Sequence, residues 1–277
     1  MTVLVGVKCT DGVVIGADSI ATSSYGPARL MQVQTDKLSL IGDRVIVAGS
    51  GAVGLNQRFV HIVQQGWDGG IFGADCLGCS RNLSRAVLQD FQQTGVPFSP
   101  EQGWNYGALL AAPLEDQAEL IEFGPMDLQP ERKGGRLHFV AMGSGQMLAE
   151  PFMAFISRVI WGGEPPDVQT AMFGVYWALR HACLIAPGGV GEPIKLSTLR
   201  KGENGDWIAR LLGEDELQEQ AQHIAAIEER ISDYPSCILQ NAAVEPPPVP
   251  PAATDDKAAG KLADPQGRKS VIDAAER

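Results

Sequence analysis

The residue with the most useful chemistry in this chain is the threonine directly behind the initiator methionine. Methionine removal proceeds readily before a small residue, so we expect the mature chain to begin at Thr2. Such a terminus carries a hydroxyl nucleophile together with a free α-amine, whose reference pKa is about 7.7–8.0. The amine can accept the hydroxyl's proton near neutral pH, which activates the hydroxyl for attack. Taken alone, Thr2 is better explained as a merely tolerated second residue.

Three later residues change that balance, because they could supply the other groups that acyl transfer needs. A buried lysine near the amine disfavours its protonation, and Lys37 is the candidate. A buried lysine requires a counter-charge, which Asp18 can provide. The developing oxyanion requires a hydrogen-bond donor, and the backbone N–H of Gly51, on a tight glycine turn, suits that role.

Two predicted hairpins would position these residues. Residues 2–8 and 13–18 are strand-like and flank a turn signal, so a hairpin would bring Asp18 back beside Thr2. Residues 36–48 predict a second hairpin, which leads directly into the glycine turn.

The other predicted elements come in segregated runs of helices and strands. Runs of this kind favour stacked layers over alternating βαβ units. Helical patterns cover residues 52–65, 79–93, 147–160 and 167–185, and strand patterns cover residues 106–112, 119–123, 137–142, 194–199 and 207–212.

These stretches resemble the proteasome-type β-subunits of the N-terminal nucleophile (Ntn) hydrolases, over about residues 2–199. The resemblance implies an α+β fold, a four-layer αββα sandwich. The stand-alone bacterial proteasome homologues are the expected group, with the ancestral β-subunits and the heat-shock peptidase that works with an ATPase ring as alternatives. The matching stretches are residues 2–7, Gly16-Ala-Asp18-Ser19, Asp36-Lys37-Leu38, Val47-Ala-Gly-Ser-Gly51 and Ala141-Met-Gly-Ser-Gly-Gln146.

The resemblance also implies roles for individual residues. Thr2 would be the nucleophile, Asp18 and Lys37 would assist it, and the Gly51 N–H would form the oxyanion hole. Ser144 would help to hold the terminal amine. The residues around the substrate would be Ala21, Thr35, Gly49 and Val53, with Gly49 leaving the pocket floor open.

Two departures from the family pattern stand out. The interval from Thr2 to Lys37 is a few residues longer, which predicts an extra loop at residues 23–27. The family's late Asp-x-x-Ser-Gly-Gly segment is missing, and the nearest stretch is Leu184-Ile-Ala-Pro187-Gly188-Gly189. The amine would therefore have one fewer supporting partner, which favours a second hypothesis: a shell subunit with little or no activity.

A glycine motif supports a third hypothesis, a nucleotide-binding module. Residues 45–54 have the local form of a strand, a GxGxxG turn running from Gly49 to Gly54, and a helix. Asp68 lies at the distance of the acidic residue that a dinucleotide fold requires. The residues before Asp68 are helix-like, however, so no predicted strand delivers it.

Composition excludes several other classes. The net charge is −11 without a basic stripe, which argues against nucleic acid as a partner. No apolar run approaches the length of a membrane span. Five cysteines without a secretory signal predict reduced thiols and a cytoplasmic location. Cys76 and Cys79 form a lone CxxC, which we interpret as two core-facing helix residues, so neither a metal nor a cofactor is expected.

The sequence predicts three segments and a set of partners. Residues 1–212 would form the Ntn hydrolase domain, residues 213–241 an added helix, and residues 242–277 a disordered Pro/Ala-rich tail. The substrate would be a peptide or an unfolded protein. The resemblance further implies homo-oligomeric stacked rings and a possible ATP-dependent unfoldase partner.

Overall fold

Strands and helices follow one another in runs, as the sequence patterns predict. The computed structural model describes residues 2–25, 28–186 and 188–239. Its strands are β1 (Leu4–Lys8), β2 (Gly12–Ala17), β3 (Ile20–Tyr25), β4 (Ala28–Gln34), β5 (Leu38–Ile41), β6 (Val45–Gly51), β7 (Tyr106–Leu114), β8 (Gln117–Phe123), β9 (Pro130–Lys133), β10 (Phe139–Met142), β11 (Lys195–Lys201) and β12 (Trp207–Leu211). Its α-helices are α1 (Val53–Asp68), α2 (Cys76–Gln93), α3 (Gln146–Val159), α4 (Val168–Ile185) and α5 (Glu214–Leu239).

Two five-stranded antiparallel sheets form the middle of the fold. The first has the strand order β10-β1-β2-β11-β12 and the second the order β5-β6-β7-β8-β9. Strands β3 and β4 form a separate antiparallel hairpin. Both sheets contribute to one buried apolar cluster, whose members include Leu4, Val13 and Ile15 from the first sheet and Ile46, Leu109 and Leu120 from the second.

The opposite face of each sheet is covered by two helices. Side chains alternate along a strand, so Leu4 enters the cluster between the sheets while Val5 packs with α3 and α4. In the second sheet, Val47 packs with α1 and α2 while Ile46 faces the first sheet. Full burial of each such side chain contributes about 1.5–3 kcal/mol. The layers are therefore helix, sheet, sheet and helix, which confirms the expected αββα sandwich.

Three strands, β3, β4 and β9, were not predicted from the sequence. Residues 23–25, which were expected in a loop, are the end of strand β3. Residues 26 and 27, the rest of that expected loop, lie outside the described residues. Small polar residues weaken the apolar alternation of β3, and the four-residue β9 (Pro-Glu-Arg-Lys) carries three charges. Neither segment therefore has the alternating apolar pattern that marks a half-buried strand.

The added helix is present as α5. Arg210 donates two hydrogen bonds to Glu216 in its first turn, and Gly213 N donates a third.

The chain divides into two compact units, residues 1–230 and 231–277. The described part of the second unit is the end of α5, and the expected tail at residues 242–277 lies outside the described residues. None of the helices in the described ranges is long and apolar enough to cross a membrane.

Candidate active site

The first hairpin places Asp18 next to the start of the chain. Strands β1 and β2 pair with Leu4 opposite Ala17, so the residues just outside this pair are neighbours. Val3 N donates to Asp18 Oδ1 at 2.9 Å, and Asp18 N donates to Val3 O at 3.2 Å. Thr2, which precedes Val3, is 7% exposed.

The Asp18 carboxylate is fully buried and accepts hydrogen bonds from several directions. Besides Val3 N, its donors are Ile20 N at 3.2 Å, Gly191 N at 3.3 Å and Lys37 Nζ at 2.6 Å. Buried charge is tolerated only when it is paired and hydrogen-bonded, and this carboxylate meets both conditions. Asp18 thereby joins β2, β3, the segment before β5 and the segment before β11.

Lys37 lies immediately before β5 and is 6% exposed. Burial lowers the pKa of Lys37 below its ordinary value, while the Asp18 carboxylate opposes part of that shift. Cys183 on α4 is the third group of this neighbourhood. Burial, with Asp18 next in importance, raises the pKa of Cys183 to about 12, so its thiol stays neutral near pH 7 and is a poor nucleophile.

A second set of contacts holds Thr2 from the side of β10. Thr2 N donates to Ser144 Oγ at 3.0 Å, and Gly145 N donates to Thr2 O at 3.0 Å. Gly143 has φ +94°, and a Cβ there would lie 2.4 Å from Thr2 O. A side chain at position 143 would therefore displace the start of the chain. The Gly-Ser-Gly segment thus fixes the backbone of Thr2 through contacts that only glycine at position 143 permits.

A cavity of about 160 Å³ opens beside Thr2. Thr2, Lys37 and Gly51 line it, whereas Asp18 contacts Lys37, and Ser144 contacts Thr2, from outside the cavity lining. Gly51, the last residue of β6, has φ +123°. The remaining lining residues are Ala21, Thr22, Thr35, Asp36, Gly49, Ala52, Val53 and Asn56. The cavity therefore brings together the candidate nucleophile, the lysine, the glycine turn and all four predicted substrate contacts.

The prediction that Gly49 leaves the pocket floor open is wrong. The space beside Gly49 is filled by the Asn56 amide, because a Cβ built at position 49 would lie only 1.8 Å from Asn56 Oδ1. Tyr106 Oη donates to the same Oδ1 at 3.1 Å. Sequence reasoning missed Asn56 because it was treated as one polar residue of an amphipathic helix. The sequence feature that could have indicated a place in the cavity is the position of Asn56 in the first turn of α1, directly after the glycine turn.

The loop after α4 approaches the site through its backbone. Gly191 N donates to Asp18 Oδ2, and Ser19 N donates to Gly191 O at 3.2 Å. Pro187, in the stretch that replaces the family's Asp-x-x-Ser-Gly-Gly segment, lies outside the described residues. The described part of this loop thus supports the carboxylate of Asp18 with a peptide N–H.

The fold does not match the nucleotide-binding hypothesis. Strand β6 pairs antiparallel with both of its neighbours, β5 and β7. Asp68 is the last residue of α1, so a helix delivers it where a dinucleotide fold would use a parallel strand. Gly49 and Gly51 line the cavity beside Thr2.

The CxxC residues face the core, as interpreted from the sequence. Cys76 and Cys79 lie on α2 and are buried in the cluster under the second sheet. Within the described ranges, no group of three or more His, Cys, Asp or Glu side chains could hold a metal ion.

Comparisons with known proteins agree with this fold. The sequence model described as proteasome subunit matches residues 2–67. The structure is similar to that of an Anbu (Gly-1) mutant from Hyphomicrobium sp. strain MC1, with a TM-score of 0.62 and 16% sequence identity over 84% of this chain and 97% of that chain. No curated protein matches the sequence. The residues matched by the family model include Thr2, Asp18, Lys37 and Gly51, so residues 2–67 of the chain are similar to proteasome subunits.

Proposed function

We propose that this chain is a threonine-type endopeptidase subunit whose nucleophile is Thr2, exposed by removal of Met1. The observation that carries the proposal is the shared cavity lined by Thr2, Lys37 and Gly51. A nucleophile, a buried cation and a glycine turn around one space are the parts that acyl transfer requires. Asp18 and Ser144 support the cation and the terminus from outside that space.

The proposed reaction has two halves. Thr2 Oγ attacks the peptide carbonyl carbon while the α-amine of Thr2 takes the hydroxyl proton. The tetrahedral oxyanion accepts a hydrogen bond from the Gly51 N–H, and collapse breaks the C–N bond as the proton passes to the leaving amine. Water then attacks the threonine ester with the same amine as base, which releases the acid and restores Thr2.

Lys37 has an electrostatic part in this scheme. Its ammonium disfavours a second positive charge on the neighbouring amine, which keeps the amine available as a base near neutral pH. The carboxylate of Asp18, 2.6 Å from Lys37 Nζ, holds this ammonium in place and compensates its burial. Ser144 accepts a hydrogen bond from the backbone N–H of Thr2 at 3.0 Å, and after removal of Met1 it would orient the amine formed at the same nitrogen.

The similarity of residues 2–67 to proteasome subunits also suggests the setting of the activity. We propose a self-compartmentalised particle of homo-oligomeric stacked rings, with peptides or unfolded proteins as substrates and an ATP-dependent unfoldase as a possible partner. Neither nucleic acid nor a membrane has a part in the proposed activity. Support for a reducing, cytoplasmic location comes from the free thiols of Cys9, Cys76, Cys79 and Cys183.

A second candidate is a proteasome-like shell subunit with little or no activity. It is favoured by the missing Asp-x-x-Ser-Gly-Gly segment, since the described part of the replacing loop offers the site one backbone N–H, that of Gly191. In this case the cavity beside Thr2 would have no catalytic use, and Met1 could be retained.

Two measurements on the full-length protein separate the candidates. Intact mass shows whether Met1 is removed, and a hydroxyl-directed peptide electrophile then tests for covalent labelling. The peptidase proposal expects a mature chain that gains one label, with no label on Thr2→Ala. Thr10→Ala is the matched control, because Thr10 is exposed on the β1–β2 turn and should label like the parent chain. A retained Met1 together with an unlabelled parent protein would support the shell subunit.

A further inference from the structure

The cavity beside Thr2 is limited on one side by a single amide group. Side chains alternate along β6, so a side chain at position 49 would project to the same side as Val47, towards α1. Gly49 has no side chain, and the Asn56 amide of α1 takes that place, since a Cβ at position 49 would lie 1.8 Å from Asn56 Oδ1 and 2.5 Å from its Cγ. Gly49 and Asn56 both line the cavity, so the amide occupies space into which the cavity would otherwise extend.

A hydrogen bond from the core holds this amide in place. Tyr106 Oη donates to Asn56 Oδ1 at 3.1 Å, and Tyr106 is fully buried. The Tyr106 ring packs against Phe59 and Phe91, with ring centroids 5.7 and 5.9 Å apart. Burial raises the pKa of Tyr106 well above its ordinary value, so the phenol keeps the proton that it donates. A substrate that displaced the Asn56 amide would leave a buried phenol without its acceptor.

The space that remains for a substrate side chain is small. The cavity has a volume of about 160 Å³, below the roughly 300–1,000 Å³ of pockets that bury a drug-sized ligand. Thr2 and Gly51 also line it, so part of this volume must hold the carbonyl group that lies between the nucleophile and the oxyanion donor. The apolar members of the lining are short as well, namely Ala21, Ala52 and Val53. These walls match a compact aliphatic group.

We propose that Asn56 is a specificity-determining residue, which limits the substrate residue whose carbonyl Thr2 attacks to a compact aliphatic side chain such as that of alanine or valine. A long or aromatic side chain would have to enter the space that the amide occupies. Asn56 acts here through its volume, and no hydrogen bond from it to the substrate is required. The inference rests on the proposed peptidase function, because it concerns the substrate of the same site.

Peptide electrophiles that differ only at this residue test the size limit. The full-length mature protein is treated with hydroxyl-directed electrophiles that carry alanine, valine, methionine or phenylalanine, and the labelling rate of Thr2 is measured for each. The alanine and valine probes should react roughly 10–100-fold faster than the methionine and phenylalanine probes, the range over which a pocket discriminates by size. Equal rates, or a faster reaction of the larger probes, would overturn the inference while leaving Thr2 as the nucleophile. Absence of labelling by all four probes would overturn the proposed function and this inference with it.

Two substitutions at position 56 separate the volume of the side chain from its chemistry. Asn56→Ala removes the amide, so the ratio of the methionine rate to the alanine rate should rise about 10-fold. Asn56→Asp is the matched control, because it keeps the size of the side chain and an acceptor for Tyr106, and this ratio should stay as in the parent protein. A ratio that is unchanged in a folded Asn56→Ala protein, or that rises equally in Asn56→Asp, would contradict the assignment.

Further variants keep the test informative if Asn56→Ala folds poorly. Asn56→Ala leaves the Tyr106 hydroxyl buried without an acceptor, whereas Asn56→Ala/Tyr106→Phe removes both partners and should cost less stability. Thermal unfolding measures this cost, and the double variant should show the same rise in the methionine-to-alanine ratio. Adding Gly49→Ala to the double variant places a methyl group in the vacated space and should reverse part of that rise. No reversal would show that substrates do not reach the space beside Gly49.

Discussion

Lys37 Nζ lies 2.6 Å from Asp18 Oδ1, and neither side chain is more than 6% exposed. The two residues come from different hairpins, and their contact joins the end of β2 to the segment that precedes β5. A pair buried to this degree is costly to desolvate, and replacement of such a pair by well-packed apolar residues is often neutral or stabilising. We interpret its presence beside Thr2 as a requirement of the chemistry.

Loss of the Lys37 charge should abolish the proposed activity. Lys37→Met keeps the length of the side chain but removes the ammonium, so the amine of Thr2 would be protonated more readily. The rate of acylation should fall about 10²–10⁴-fold, the range for a general acid–base contribution. The rate of labelling by a peptide electrophile measures this, with Lys201→Met as the control because Lys201 pairs with the exposed Asp116 away from the cavity beside Thr2. Undiminished labelling would remove Lys37 from the mechanism.

The buried Lys37–Asp18 pair predicts that loss of one of its charges destabilises the protein more than loss of both. Lys37→Met leaves the buried Asp18 carboxylate without its cation, and breaking one side of a buried pair costs about 3–5 kcal/mol. The double variant Asp18→Asn/Lys37→Met removes both charges and should be less destabilised than Lys37→Met alone. Urea unfolding of the parent protein, both single variants and the double variant gives the coupling energy. Additive effects of the two substitutions would show that the contact contributes nothing specific.

Gly143 should be intolerant of even one methyl group. Gly143→Ala would place a Cβ 2.4 Å from Thr2 O at a φ of +94°, so the residue or the start of the chain must move. We expect a loss of about 1–3 kcal/mol in the free energy of unfolding, together with slower labelling of Thr2. Gly124→Ala is the matched control, because a Cβ there meets nothing within 4 Å. Equal stability and labelling in the two variants would argue against a positioning role for Gly143.

The start of α5 should become less stable in acid. Two hydrogen bonds from Arg210, helped by Gly213 N, lower the pKa of Glu216 from 4.5 to about 2. The folded state therefore binds this proton more weakly than the unfolded state does. The stabilisation is complete above pH 4.5 and is lost as the pH falls through about 2. Because both side chains are more than a third exposed, we expect about 1 kcal/mol or less.

Comparison of the parent protein with Glu216→Gln measures that contribution. The difference in their free energies of unfolding should be constant from pH 7 to about 5 and should shrink at lower pH. A difference that does not change with pH would mean that the ion pair contributes nothing in solution.

The sequence predicted those parts of the site that depend on local pairing. A hairpin fixes its own register, so the return of Asp18 beside the first residues of β1 followed from the turn between β1 and β2. The segregated runs of strands and helices predicted stacked layers, whereas the αββα order was implied by the resemblance to proteasome-type β-subunits.

Other parts of the site depend on how distant elements meet. Asn56 fills the space beside Gly49 only because α1 leaves β6 at one particular angle, which a helical periodicity does not specify. The approach of Gly191 to Asp18 is a loop contact across 173 residues of sequence. Strand β9 was missed because Pro130–Lys133 is short and charged, and only the pairing with β8 makes it a strand.

The central claim is tested most directly by locating the covalent adduct on the protein. The mature full-length chain is treated with a hydroxyl-directed peptide electrophile, digested and analysed by mass spectrometry of its N-terminal peptide. We predict one adduct per chain on a peptide that begins with Thr2, with no adduct in Thr2→Ala or after denaturation. An adduct on Cys183 or any other residue, or an N-terminal peptide that still carries Met1 and stays unmodified, would contradict Thr2 as the nucleophile.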